Sequence, residues 1–177
     1  MEVRPLREVA LPAKGFAELR RSLRDEVGAL AAVHGLHAAG FGVGEDLFRA
    51  FQRTADRPVR ELPEEDLWDR LARFFAQKGW GTLRQRSLHP GIGILESQDW
   101  AESVPGTESQ PSCAFTTGVL SNFLTLAAGG PVAVLEVTCT SRGDDACGFA
   151  FGSEVVVHEL YGHLLEGVGL DDALARL

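Results

Sequence analysis

Val132-Ala133-Val134-Leu135-Glu136-Val137-Thr138-Cys139, then Ser141-Arg142-Gly143-Asp144-Asp145, then Cys147-Gly148-Phe149-Ala150-Phe151 is the stretch that decides the fold. Its first and last segments are rich in β-branched and aromatic residues, and the polar, glycine-containing middle is a turn. The reading is an antiparallel hairpin that brings Cys139 and Cys147 together. Upstream, Gly129-Gly130-Pro131 stops a helix predicted over Cys113–Ala128. Downstream, Ser153 caps a last helix carrying Val156, Val157, Leu160, Leu164 and Leu165.

Working further outward, Gly81–Leu88 and Gly91–Glu96 read as a second pair of short strands around the turn His89-Pro90-Gly91. The first half is helical. Phe16, Leu19, Leu23, Val27, Leu30 and Ala31 recur at helical spacing and predict one helix from Gly15 to about Val33. A second is predicted over Leu36–Phe51. A third opens at Pro63-Glu64-Glu65-Asp66, with an apolar stripe of Leu67, Trp68, Leu71, Phe74 and Phe75. The polar stretch 102–112 is a loop. The expected fold is α+β, an antiparallel sheet of about four strands packed against helices. The chain divides into an N-terminal extension, 1–15, and a single domain, 16–177.

The chain has 177 residues, 45% of them hydrophobic, which is enough for one core without disulfides. A net charge of -8 argues against nucleic acid and against an anionic membrane surface. No segment has the run of apolar residues that a membrane span needs, and residues 1–8 lack the apolar centre of a signal peptide. A cytoplasmic protein is expected, and its three cysteines are then thiols or metal ligands rather than disulfides.

Those cysteines, Cys113, Cys139 and Cys147, lie within one short region together with Glu136. Three thiolates and a carboxylate can close a tetrahedral zinc shell of the structural type, with no open position. Cys113, at a predicted helix N-terminus, is placed where the helix dipole favours thiolate. The shell would carry a net charge of roughly -2, and Arg142 is a nearby cation that could offset it. Spacing alone leaves a second reading open: the cysteines as small buried hydrophobes and Glu136 on the surface.

The segment from about Gly91 to Phe151 resembles the 4-vinyl-reductase-type domain. The matching signals are Cys113 opening a helix that contains Gly118, then Leu135-Glu136-Val137-Thr138-Cys139, then Gly143-Asp144 before Cys147. His34 to Phe48 is similar to that family's glycine-punctuated second helix. The resemblance implies the fold of TRAPP vesicle-tethering subunits and a small-molecule-binding role, as in sensory domains of aromatic-responsive bacterial activators. It implies zinc on Cys113, Glu136, Cys139 and Cys147. It also implies two alternatives: an enzyme or accessory of bacteriochlorophyll vinyl reduction, or a structural interaction subunit. No flavin or nicotinamide motif is present, so a non-enzymatic role is preferred. No ATPase or DNA-binding module is read in these residues, so sensing would need a separate effector protein.

A hydrophobic or aromatic ligand would need apolar walls and a few polar groups. The residues expected to supply them are Trp100, Phe115, Trp80, Phe41 and Phe48, with His37 or His34 as a polar contact. Trp100 is expected to border a cavity closed by the loop 102–112. A homodimer is expected through the small-residue segment 38–44 and the aromatic third helix. His158 and His163 sit in a sequence superficially like a zinc-protease motif. Their five-residue spacing turns them about 140° apart on a helix, so they are ordinary helix residues. Tyr161 is expected to pack on the sheet.

Overall fold

The computed structural model describes residues 7–177; residues 1–6 of the expected extension lie outside the described residues. Helices α1 (Ala13–Val27), α2 (Ala29–Gln52) and α3 (Glu64–Gln77) precede strands β1 (Arg84–His89) and β2 (Ile92–Ser97). Helix α4 (Ala114–Ala128), strands β3 (Ala133–Thr138) and β4 (Cys147–Gly152), and helices α5 (Glu154–Leu165) and α6 (Leu170–Leu174) complete the chain. The four strands form one antiparallel sheet in the order β1-β2-β4-β3. This is the α+β architecture the sequence predicts.

Period-two alternation divides the apolar residues between the two faces of the sheet. Leu95 and Phe149 join α2, α3 and α4 in the larger core, which also holds Phe51, Leu71, Phe75, Trp100 and Phe123. Ile92, Ile94, Val137 and Ala150 turn to the other face and pack with Leu160, Ala173 and Leu174 of α5 and α6. No helix among the described residues is long and apolar enough to cross a membrane.

The first helical boundary differs from the sequence reading. The break falls at Gly28, whose φ of +84° and ψ of 159° no helix can contain. Helix α2 then runs unbroken through Gly35, where a break was expected. Helical periodicity continues across Gly28, so apolar spacing could not reveal the joint.

Helices α2 and α4 are in backbone contact along a glycine seam. A Cβ on Gly40 would stand 2.0 Å from the Phe115 carbonyl oxygen, one on Gly44 2.7 Å from that of Val119, and one on Gly118 2.1 Å from that of His37. Of the small-residue segment 38–44, Ala38, Ala39, Phe41, Gly42 and Val43 stay exposed, and Gly40 and Gly44 are spent on an intramolecular contact. So is much of the third helix: Phe74 and Phe75 are buried, and Trp68 stacks on Phe151. Of the two surfaces that suggested a homodimer, the aromatic face of the third helix is internal, whereas most of 38–44 remains exposed.

Candidate metal centre and aromatic cluster

The hairpin of β3 and β4 builds half of the candidate metal centre. Along a regular strand, residues three apart face opposite sides. Between Glu136 and Thr138 the pairing with Phe149 and Gly148 slips, so that β3 has one residue more than β4 at this point. This bulge turns Cys139 to the side that Glu136 already faces. The tight turn 140–142 and Gly143, with φ +100°, then reverse the chain. Asp144 accepts the Cys139 amide at 2.7 Å and the Arg142 Nε at 2.9 Å, which locks the turn. Cys147 follows at the start of β4.

Cys113 comes from the other side, at the N-cap of α4. Its amide donates to Glu136 Oε2 at 2.7 Å, which ties the helix end to the strand. One ligand atom from each of Cys113, Glu136, Cys139 and Cys147 lies within 4.8 Å of the others. All three cysteines are free and fully buried. Glu136 Oε1 is buried with no hydrogen-bond partner. An orphaned carboxylate oxygen beside three thiols marks a place for a cation.

The electrostatics agree. Hydrogen bonds from the Cys113 and Cys147 thiols hold Cys139 well below the ordinary thiol value, and the contact with Cys139 pushes Cys113 up. Burial, and then the charge of Cys139, push the Glu136 carboxyl up to about 9. Four acidic groups this close cannot all ionise without positive charge among them.

The neighbours of the sulfurs are hydroxyls, a feature that sequence reasoning missed. Ser141 Oγ lies 3.0 Å from Cys139 Sγ, Ser103 Oγ 3.5 Å and Ser112 Oγ 3.7 Å. Thr140 Oγ1 lies 3.6 Å from Cys147 Sγ. Arg142, expected to serve the site, instead pairs with Asp144 and donates to the Val137 carbonyl. Thr140 and Ser141 follow Cys139 directly in the sequence; Ser103 and Ser112 arrive from the loop. We expect Ser141→Ala to weaken metal retention about 10-fold or more, measured by competition with a chromogenic chelator. An unchanged competition curve would assign the hydroxyls to packing alone.

Glu102 is a second buried carboxylate that sequence reasoning missed. Its Oε1 accepts the Phe115 amide at 3.1 Å, and its Oε2 accepts the Thr116 amide at 2.7 Å and the Thr116 hydroxyl at 2.5 Å. It thus caps α4 from the loop, where Cys113 offers no side-chain cap. Burial pushes its pKa up to about 7, against the three donors, which favour the charged form. A pKa above the unfolded value makes the folded protein hold a proton that the unfolded chain releases. That stabilisation is complete below about pH 4.5 and is lost as the pH rises through about 7. Glu102→Gln removes this dependence and leaves one amide hydrogen facing other donors, at about 1–3 kcal/mol. In urea titrations the parent's stability relative to Glu102→Gln should fall from about pH 5 to about pH 8. Parallel pH profiles would refute the assignment.

The residues expected to line a ligand cavity divide. Trp100 is 2% exposed and donates its indole N–H to Thr116 Oγ1 at 2.7 Å. Its ring packs on Phe75, Trp80 and Phe149 at centroid distances of 5.8, 5.9 and 5.8 Å. Phe115 lies 6.1 Å from Trp80. Trp100, Trp80 and Phe115 therefore form one cluster, and Trp80 is its half-buried outer member. Phe48 packs on Phe123, Phe41 is 44% exposed, and the half-buried His37 stands on α2, its pKa lowered by burial and then by His34. Of these residues, only Trp80 borders one of the three described clefts. Tyr161 does not pack on the sheet as expected. It is 44% exposed on the wall of a cleft of about 470 Å³ between β3 and α5. His158 and His163 join no metal cluster among the described residues.

Residues 101–153, which contain every residue of the candidate metal centre, match the V4R domain family. An uncharacterized protein of Methanocaldococcus jannaschii is 30% identical over 120 residues, covering 59% of this chain; the chain spans 65% of that relative's length. Among solved structures, the fold is similar to the phenol-responsive sensory domain of the transcription activator PoxR with phenol. That match has TM-score 0.65 and 14% identity, and covers 83% of this chain and 77% of the other. It is similar to a vinyl-4-reductase family protein of Methanocaldococcus jannaschii, with TM-score 0.55, 20% identity, and 81% and 82% coverage. It is also similar to trafficking protein particle complex subunit 3 from Naegleria fowleri covalently bound to palmitic acid, with TM-score 0.61, 15% identity, and 79% and 91% coverage.

Proposed function

We propose, from the premise that this chain carries a V4R domain, that it is a zinc-stabilised module that binds a small aromatic or hydrophobic molecule and acts through a partner protein. The observation that carries the reading is the joining of two features in one helix. Helix α4 begins at the metal centre with Cys113 and continues into the aromatic cluster through Phe115 and Thr116. The likeness in fold to a phenol-responsive domain and to a subunit bound to palmitic acid supports an apolar guest.

Zinc is the metal the donors favour. Bonds of about 2.3 Å to sulfur on a tetrahedron put sulfurs about 3.8 Å apart. The Cys113 and Cys139 sulfurs are 3.8 Å apart and those of Cys139 and Cys147 4.0 Å. Thiolates disfavour magnesium and calcium. With four protein ligands the site is structural: zinc would tie Cys113 of α4 to the hairpin, and the hydroxyls would share the thiolate charge. A reducing, cytoplasmic setting suits the three free thiols.

Native mass spectrometry of freshly purified protein tests this reading, with one zinc per chain expected. Indole or phenol should change tryptophan fluorescence saturably, and Trp100→Phe should remove most of that change. The same spectra report assembly. We propose a homodimer through the exposed Leu30, Val33, Phe41 and Val43 of α2. A specific observation favours a second reading, a purely structural interaction subunit: Trp100 is close-packed and borders none of the described clefts. Absence of any saturable response to indole, phenol or a fatty acid would decide for it.

A further inference from the structure

Helix α1 is attached to the rest of the protein mainly by polar groups. Arg20 is its one buried residue. Arg20 Nη1 donates to the carbonyls of Glu102 at 3.0 Å and Ser112 at 3.1 Å, and Nη2 lies 3.5 Å from Glu108 Oε1. Arg24 Nη1 donates to Glu108 Oε2 at 2.6 Å. The aromatic attachment is Phe16, whose ring meets Phe115 at 5.5 Å. Leu19 and Val27 are left 55% and 52% exposed.

At its C-terminal end α1 is joined to α2 through the single residue Gly28. That residue has φ +84°, and nothing lies within 4 Å of where its Cβ would stand. It is a single-residue joint in open space. Ahead of α1, residues 7–10 form one wall of a cleft of about 360 Å³, with Val43, Leu47 and Trp80 opposite. Glu8 pairs with Lys78 at its rim. Residues 7–27 thus cover Trp80 and Phe115, the outer members of the cluster that ends at Trp100.

We propose that residues 7–27 are a hinged arm that pivots at Gly28 and gates the passage of a planar aromatic guest past Phe115 and Trp80 to the Trp100 cluster. This rests on the aromatic-binding reading above. A close-packed cluster needs a way in, and the arm is the part whose polar tethers reach the loop 102–112 and neither the sheet nor the four candidate ligands themselves. Polar tethers can be replaced by water as they part, whereas buried apolar contacts cannot, so the arm opens well before the core does.

Hydrogen exchange on the full zinc-loaded chain tests the arm without any ligand. Amides of residues 15–27 should exchange at least roughly tenfold faster than those of α4 and β4. Arg24→Ala, which removes one partly exposed tether, should speed the arm further and leave α4 unchanged. Protection of α1 equal to that of α4, unaltered by the variant, overturns the proposal. Stopped-flow fluorescence then measures association of indole, which should be several-fold faster for Arg24→Ala. A mobile arm with an unchanged association rate overturns gating. If indole binds neither protein, the aromatic reading fails, and the gate is judged by acrylamide quenching of Trp80 in a Trp68→Phe background. That quenching must rise in Arg24→Ala, and no rise overturns the gate.

Discussion

On the proposed zinc reading, Cys139→Ala is expected to lose the metal and on the order of 4 kcal/mol or more of folding free energy, among the largest effects available to a single substitution here. Cys139 stands at the centre of the cluster, with both other sulfurs and three serine hydroxyls within 4.0 Å. Its loss leaves two thiols, the orphaned Glu136 oxygen and the serines around a hole that no longer holds a cation. The four ligands come from α4, β3 and the two flanks of one turn, so their release frees the hairpin from the helix. Urea denaturation with elemental analysis of the same sample measures both effects. A chelator should destabilise the parent by a similar amount and leave Cys139→Ala unchanged. A zinc-free variant as stable as the zinc-bound parent would show that the centre does not hold the fold together.

Gly40→Ala is expected to destabilise the protein by about 3 kcal/mol or more, although alanine is the better helix former by about 1 kcal/mol. The new methyl would stand 2.0 Å from the Phe115 carbonyl oxygen. Backbone cannot step aside as a side chain can, so α2 and α4 would have to separate along the seam. Gly42 supplies the control. It lies in the same helix with nothing within 4 Å of its Cβ position, and Gly42→Ala should stabilise by about 0.5–1 kcal/mol. Opposite signs two residues apart, read from thermal or urea melts, isolate the close approach from helix propensity. Equal signs would contradict the seam.

The hairpin was legible because its strands, its turn and its cysteines agree with one another. The apolar, β-branched run from Val132 to Thr138, glycine and aspartate at the reversal, and Cys139 and Cys147 on its flanks all point to one structure. The bulge that brings Glu136 and Cys139 to one side was not legible, because register belongs to a pair of strands and is written in neither. The small residues at 38–44 announced a close contact but not its partner; the seam with α4 resides in Gly118 and Phe115, far along the chain. Of Trp100 only its place beside a polar loop was legible; its N–H partner Thr116 and the rings it packs on, Phe75, Trp80 and Phe149, belong to other elements. Arg20 carries no signal at all. An arginine on an amphipathic helix is ordinarily solvent-facing, and its carbonyl partners have no side-chain identity to read.

The loop 102–112 touches the metal centre through Ser103 and Ser112 and touches α1 through Arg20 and Arg24. Its backbone is also bonded to the turn, with the Gly106 and Glu108 amides donating to the Thr140 and Ser141 carbonyls at 3.2 and 3.0 Å. Two events that order the same segment share one entropy loss: whichever comes first lightens the burden on the second. Thermodynamic reciprocity then fixes the relation between them. The factor by which metal occupancy tightens the docking of the arm equals the factor by which the docked arm tightens the hold on the metal. A guest that favours the open arm would loosen the metal in equal measure, so metal affinity measured with and without that guest is a direct reading of the signal passed along the loop.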